Sequence, residues 1–158
     1  MRDRPVLVIG VGNQLRGDDA ASGEVVRRLH ERCADTGIDV SEQLCEPGAL
    51  LDAWQGRDAV VLVDTMRSGE PPGTIRRFDV SATPLPAGLR GSMSTHGFGL
   101  HEAIELGRAL RRLPGRVIVV AVEGLHFEAG AMPSGDVQAA IAPLACTVLR
   151  EAIELAKR

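Results

Sequence analysis

Three short apolar runs constrain this chain most: Val6-Leu7-Val8-Ile9, Ala59-Val60-Val61-Leu62-Val63 and Val117-Ile118-Val119-Val120-Ala121-Val122. Each is rich in β-branched residues, and none alternates with polar ones. A strand with one face in water would alternate. An uninterrupted run needs cover on both faces, as in a parallel sheet between helices.

The intervening segments supply that cover. Ser22 to Cys33 carries Val25, Val26 and Leu29 on one side, with Arg27, Arg28, Glu31 and Arg32 elsewhere. Gly99 to Leu113 carries Leu100, Ile104, Leu106, Leu110 and Leu113, and Ser134 to Ala156 carries Val137, Ile141, Leu144, Val148 and Leu155. Both spacings are helical. Pro143 interrupts the last pattern and is expected to kink or split it. Ile38 to Leu44 reads as a further strand and Pro47 to Trp54 as a short helix. Thr74 to Val80 alternates more and reads as an edge strand. The fold class expected is α/β: a three-layer sandwich whose mostly parallel, twisted sheet is flanked by helices on both faces. The 158 residues are expected to form a single domain, 1–158, at about 100–200 residues per domain.

Composition removes several function classes. Aromatic residues make up 3%, with no Tyr and one Trp, a poor supply for stacking on nucleic-acid bases. A net charge of −3 gives little attraction to phosphate backbones or anionic membranes. No apolar run reaches the roughly 18 residues of a membrane span, and the short run after Pro5 is too brief for a signal-peptide core. The three cysteines, Cys33, Cys45 and Cys146, show no metal or redox spacing. They read as free, buried thiols in a reducing cytoplasm. No nucleic-acid partner and no membrane association are expected.

Ligands in open α/β sheets sit at the carboxyl ends of the strands, so the residues just past each run matter. The first run leads into Gly10-Val11-Gly12-Asn13-Gln14-Leu15-Arg16-Gly17-Asp18-Asp19, the second into Asp64, and the third into Glu123-Gly124-Leu125-His126. A long loop from Thr83 to Thr95 leads into His96 and Gly97, just before a helix. The glycine loop fails the dinucleotide fingerprint because Leu15 stands where the third glycine belongs. Asp18 and Asp19 would also repel a pyrophosphate, although they suit the start of a helix. An acid at the end of a buried strand, as at Asp64, is costly unless it has a task. His30 and His101 fall on helical patterns and read as surface residues, while His126 fits a structural or a functional role.

Asp19, Asp64 and His96 together offer two carboxylates and an imidazole. That set suits a borderline divalent ion such as nickel or zinc with positions left open for substrate. The same three are the first candidates for catalysis, with Asp18 and Glu123 behind them. No G-x-S-x-G elbow is present. A cysteine nucleophile is unsupported, and only Cys45, at the end of the second strand, could lie near this rim.

These residues resemble the hydrogenase maturation protease family. The similarity runs through Ile9 to Asp19, Val61-Leu62-Val63-Asp64, Pro72-Gly73-Thr74, Ser94-Thr95-His96-Gly97-Phe98-Gly99-Leu100, Val119 to Glu123 and Phe127 to Val137. It covers nearly the whole chain in the family's order. The resemblance implies an endopeptidase that trims the C-terminal extension of a nickel–iron hydrogenase large-subunit precursor. It implies metal contacts at Asp19, Asp64 and His96, with the nickel delivered by the substrate. Two features depart from the common pattern, and a third position varies among members. Ser22 stands where a glycine is usual, and Gln43-Leu44-Cys45-Glu46-Pro47 replaces the glycine-rich turn of some members. Asp19 replaces the Glu of others, a methylene shorter. Two other readings stay open on the residues alone: a metal-dependent hydrolase of small molecules, and a non-catalytic nickel-binding module.

Overall fold

The computed structural model describes residues 5–90 and 99–158. The apolar runs become strands β1 (Val6–Val11), β3 (Ala59–Met66) and β5 (Arg116–Glu123). Two shorter strands are β2 (Asp39–Gln43) and β4 (Ile75–Asp79). The helices are α1 (Ala21–Cys33), α2 (Pro47–Trp54), α3 (Leu100–Ala109) and α4 (Gly135–Ala156). A 3₁₀ turn, Gly17–Ala20, leads into α1. The sheet order is β2-β1-β3-β5-β4. The first four strands are parallel, and β4 pairs antiparallel at the edge of β5.

Both faces of the central strands are buried because successive side chains feed two different cores. Val6, Val8, Val61, Val63, Ile118, Val120 and Val122 pack with α1 and α4. Leu7, Ile9, Val60, Leu62, Val117, Val119 and Ala121 pack with α2 and α3. Helices therefore cover the sheet on both sides, as the uninterrupted runs demand. The start of α2 is fixed locally: the Glu46 carboxylate accepts from Gly48 N at 3.0 Å and Ala49 N at 2.7 Å, with Pro47 in the first turn.

Two sequence expectations change. Pro143 does not split the last helix, which runs unbroken from Gly135 to Ala156. Proline removes the bond to the carbonyl of Ala139, but both residues lie on the exposed side of α4, where water can take that carbonyl. Of the three free cysteines only Cys33 is buried; Cys45 is half-buried and Cys146 is exposed. Among the described residues, no helix is long and apolar enough to cross a membrane.

Register brings the functional rim together. Gly10 pairs with Val63, Asp64 with Ala121, and Met66 with Glu123. Asp64 does not end its strand, because β3 continues through Thr65 and Met66 alongside β5. The last paired residues between β1 and β3 are Gly10 and Val63. Beyond that point β3 has a neighbour on one side only, which leaves a notch at the sheet edge.

Candidate active site

The chain that leaves β1 folds back into this notch. The Asn13 side-chain oxygen accepts from Leu15 N at 2.9 Å and its carbonyl from Arg16 N at 3.1 Å. Asp19 N then closes a turn onto the Arg16 carbonyl at 3.1 Å. Gly17 takes a φ of 56° and lies directly against the His126 carbonyl oxygen, a position only glycine fits without strain. Ser22 donates its hydroxyl to the Val11 carbonyl at 2.6 Å. The departure from glycine at position 22 is thus accommodated, because the extra oxygen ties the first turn of α1 to the end of β1.

Asp19 and Asp64 meet in the notch, each 4% exposed. Asp19 accepts from Asn13 N at 2.9 Å on one oxygen and from the Thr65 hydroxyl at 2.8 Å on the other. Asp64 accepts from Thr65 N at 2.7 Å. Burial, and then the negative charge of Asp19, push the Asp64 carboxyl well above the usual carboxylate range, against a smaller opposing effect of the Thr65 N–H. Burial beside a second carboxylate thus favours the protonated form of Asp64. Such a pair can exchange protons with a reacting group, or give up its proton to a divalent cation.

The other candidates fall into place around this pair. Asp18 is fully buried and faces away from it. Its carboxylate accepts from Leu125 N at 2.6 Å, His126 N at 2.9 Å, Ser134 N at 2.5 Å and the Ser134 hydroxyl at 3.0 Å. Burial alone would raise its pKa, but the bonds from His126, Leu125 and Ser134 outweigh that and hold it below the usual value. Neither Asp18 nor Asp19 makes a side-chain cap for α1. Glu123 accepts from Ser68 N at 2.8 Å, the Ser68 hydroxyl at 2.6 Å and Gly69 N at 2.9 Å. It ties the loop after β3 to the end of β5. His126 and His30 are exposed. His101 is half-buried, and its Nδ1 is sealed from solvent with no hydrogen-bond partner among the described residues. The expectation for His96 lies outside the described residues. Among the described residues, no group of three or more His, Cys, Asp or Glu is arranged to hold a metal ion.

Sequence reasoning passed over Thr65, which touches both acids, and Glu102, which sits close enough for its charge to act on Cys45. The polar residue directly after Asp64 in an otherwise apolar strand was the available signal for Thr65. Cys45 lies in the field of the pair. Burial, then the charges of Asp64, Asp19, Glu102 and Glu46, push its thiol up to about 12. A thiol shifted in this direction is a poor nucleophile.

A family model described as hydrogenase maturation protease matches residues 24–151. The chain belongs to the hydrogenase maturation protease family. It is 28% identical over 133 residues to the hydrogenase expression/formation protein HupD of Thiocapsa roseopersicina, which covers 81% of this chain and 58% of that protein. It is 27% identical over 155 residues to HupD of Bradyrhizobium diazoefficiens, covering 95% of this chain and 80% of that protein. The chain thus spans little more than half the length of the first relative and most of the second. Its fold superposes on the hydrogenase maturating endopeptidase HybD from E. coli with a TM-score of 0.77 and 25% identity. That match covers 98% of this chain and 93% of the other. Both sides of the resemblance, sequence order and three-dimensional fold, therefore agree across the hydrogenase maturation protease family.

Proposed function

We propose that this chain is an endopeptidase that removes the C-terminal extension of a nickel-loaded hydrogenase large-subunit precursor, with the nickel carried by the substrate as the recognition element. The observation that carries this reading is the buried Asp19–Asp64 pair at the carboxyl edge of the sheet, in a chain of the protease family. Two carboxyl groups buried side by side are a costly arrangement for folding alone. It becomes useful when a cation arrives, because both carboxylates can then turn their charge toward it. His96, carried over from the family pattern, is the third donor in this reading. Two oxygens and one nitrogen leave further coordination positions for the groups that hold nickel in the precursor.

In this reading Asp19 and Asp64 fix where the precursor docks, and either acid can orient or deprotonate the attacking water, a contribution of about 10²–10⁴-fold. Asp18 and Glu123 serve the scaffold, since their oxygens are already bound to loop donors. The free cysteines support a reducing, cytoplasmic setting.

The test mixes purified chain with nickel-loaded and nickel-free precursor and follows release of the tail by mass. Only the loaded precursor should be cut. Equal cleavage of both overturns nickel recognition, and cleavage of neither overturns the protease reading. Asp19→Ala, Asp64→Ala and His96→Ala should each abolish detectable release from the loaded precursor.

A further inference from the structure

We infer that Thr65 is a positioning residue for the acid pair, holding the Asp19 and Asp64 carboxylates at the separation and orientation that bond cleavage requires. This rests on the endopeptidase reading above and adds to it a residue outside the metal-contacting set.

The argument starts from the notch. Past Gly10 and Val63, β1 no longer pairs with β3. Thr65 lies two residues beyond that point, so β1 makes no claim on its backbone N–H. The N–H instead goes to the Asp64 carboxylate at 2.7 Å. The Thr65 hydroxyl spans to the other side of the notch and donates to Asp19 at 2.8 Å. One residue thus supplies a donor to each acid. It does so from a rigid base, because Thr65 is 3% exposed and pairs in register with Val122 of β5.

Two buried acids placed together repel once both ionise, and a carboxylate with a single anchor would rotate away. Asp19 is anchored on each oxygen, by Asn13 N and by Thr65. The Thr65 hydroxyl ties that position to Asp64, whose carboxylate accepts from Thr65 N. Asp19 also has a shorter side chain than Glu, so less chain flexibility is available to correct a misplaced oxygen. Serine would supply the same hydroxyl. Threonine adds the β-branch that suits a buried strand. Valine would keep that shape and lose the donor.

The test compares Thr65→Val and Thr65→Ser with the wild-type chain on nickel-loaded precursor, with melting temperature measured alongside. Thr65→Val should lower kcat by about 10–100-fold, the usual cost of losing an outer partner of a ligand or catalytic group. KM and melting temperature should change little, and Thr65→Ser should retain wild-type kcat within about threefold. An unchanged kcat in Thr65→Val, or an equal loss in Thr65→Ser, overturns the inference. If Thr65→Val does not fold, Thr65→Cys replaces it, since a thiol keeps the shape of serine with a weak donor. It should then fall well below Thr65→Ser, and equality of the two overturns the inference. A wild-type chain that leaves the loaded precursor intact overturns the endopeptidase reading instead.

Discussion

Asp18 and Asp19 are consecutive in the chain, yet their carboxylates bind opposite sides of the same turn. Asp18 takes four donors from Leu125, His126 and Ser134. Asp19 takes Asn13 N and the Thr65 hydroxyl. The 3₁₀ turn makes this division possible, because successive side chains there project about 120° apart. Asp18 welds the loop after β1 to the loop after β5, and that weld fixes the point from which Asp19 enters the notch.

Asp18→Ala strands three backbone N–H groups and a buried hydroxyl. The expected loss is about 3 kcal/mol or more, since each unsatisfied buried donor costs about 1–3 kcal/mol and such costs do not simply add. Urea denaturation reads it directly. The pH dependence has a definite sign. The folded-state pKa of Asp18 is depressed, so its contribution is full above the unfolded carboxylate value and is lost as pH falls through the folded one. Asp18→Asn should flatten that acid limb. A limb of unchanged steepness would show that other carboxylates set it.

Asp64 has the opposite sign. Its folded pKa is raised, so the protein without bound cation is penalised as pH climbs from the unfolded carboxylate value through the folded one. Asp64→Asn should remove this penalty and raise the melting temperature at neutral pH. Precursor cleavage should fall below detection in the same variant. Calorimetry at acid and neutral pH checks the first half, because the gain should vanish where both states are protonated. A variant less stable than wild type at neutral pH would mean that the ionised acid has stabilising partners.

Most of the fold was legible because burial on two faces leaves a mark in one dimension. The three β-branched runs give β1, β3 and β5, and their neighbours in the sheet follow from parallel connections. The edge strand β4 was legible from its alternation. What could not be read was the direction in which adjacent acids point. Asp18 and Asp19 are identical in type and equal in setting until the 3₁₀ turn that begins at Gly17 is built. The bridging role of Thr65 was hidden for a similar reason. It depends on β1 ending before β3, and strand ends are set by pairing rather than by local composition. The rim position of Asp19 and Asp64 was legible in the residues that follow the first two apolar runs, and the structure brings these two together in the notch.

Pro143 offers a stability gain. It sits inside α4 with its face in water, so its removal costs no packing. Pro143→Ala restores an N–H for the Ala139 carbonyl and gives a far better helix former. The intrinsic difference is about 3 kcal/mol, part of which is offset by the greater freedom of the unfolded chain. A net gain of about 1–2 kcal/mol is expected in urea denaturation, with precursor cleavage unchanged. A loss would mean that α4 has adapted to the proline.

Gly17 and Gly130 provide a matched pair for the weld itself. Both have positive φ, 56° and 80°. A Cβ on Gly130 would meet nothing within 4 Å, so Gly130→Ala should cost only the left-handed conformation, about 1 kcal/mol. A Cβ on Gly17 would strike the His126 carbonyl, which accepts from Asp18 N at 2.7 Å. Gly17→Ala therefore forces the two loops apart at their closest point. It should cost about 3 kcal/mol or more, through both the strained φ and the broken bond. The displacement would also carry Asp19 with it, since Asp18 and Asp19 share the turn. Cleavage of precursor by the folded fraction should fall at least tenfold in Gly17→Ala and stay near wild type in Gly130→Ala. Equal stability of the two variants would show that the contact between Gly17 and His126 gives way without cost, and would remove the weld as the element that positions Asp19.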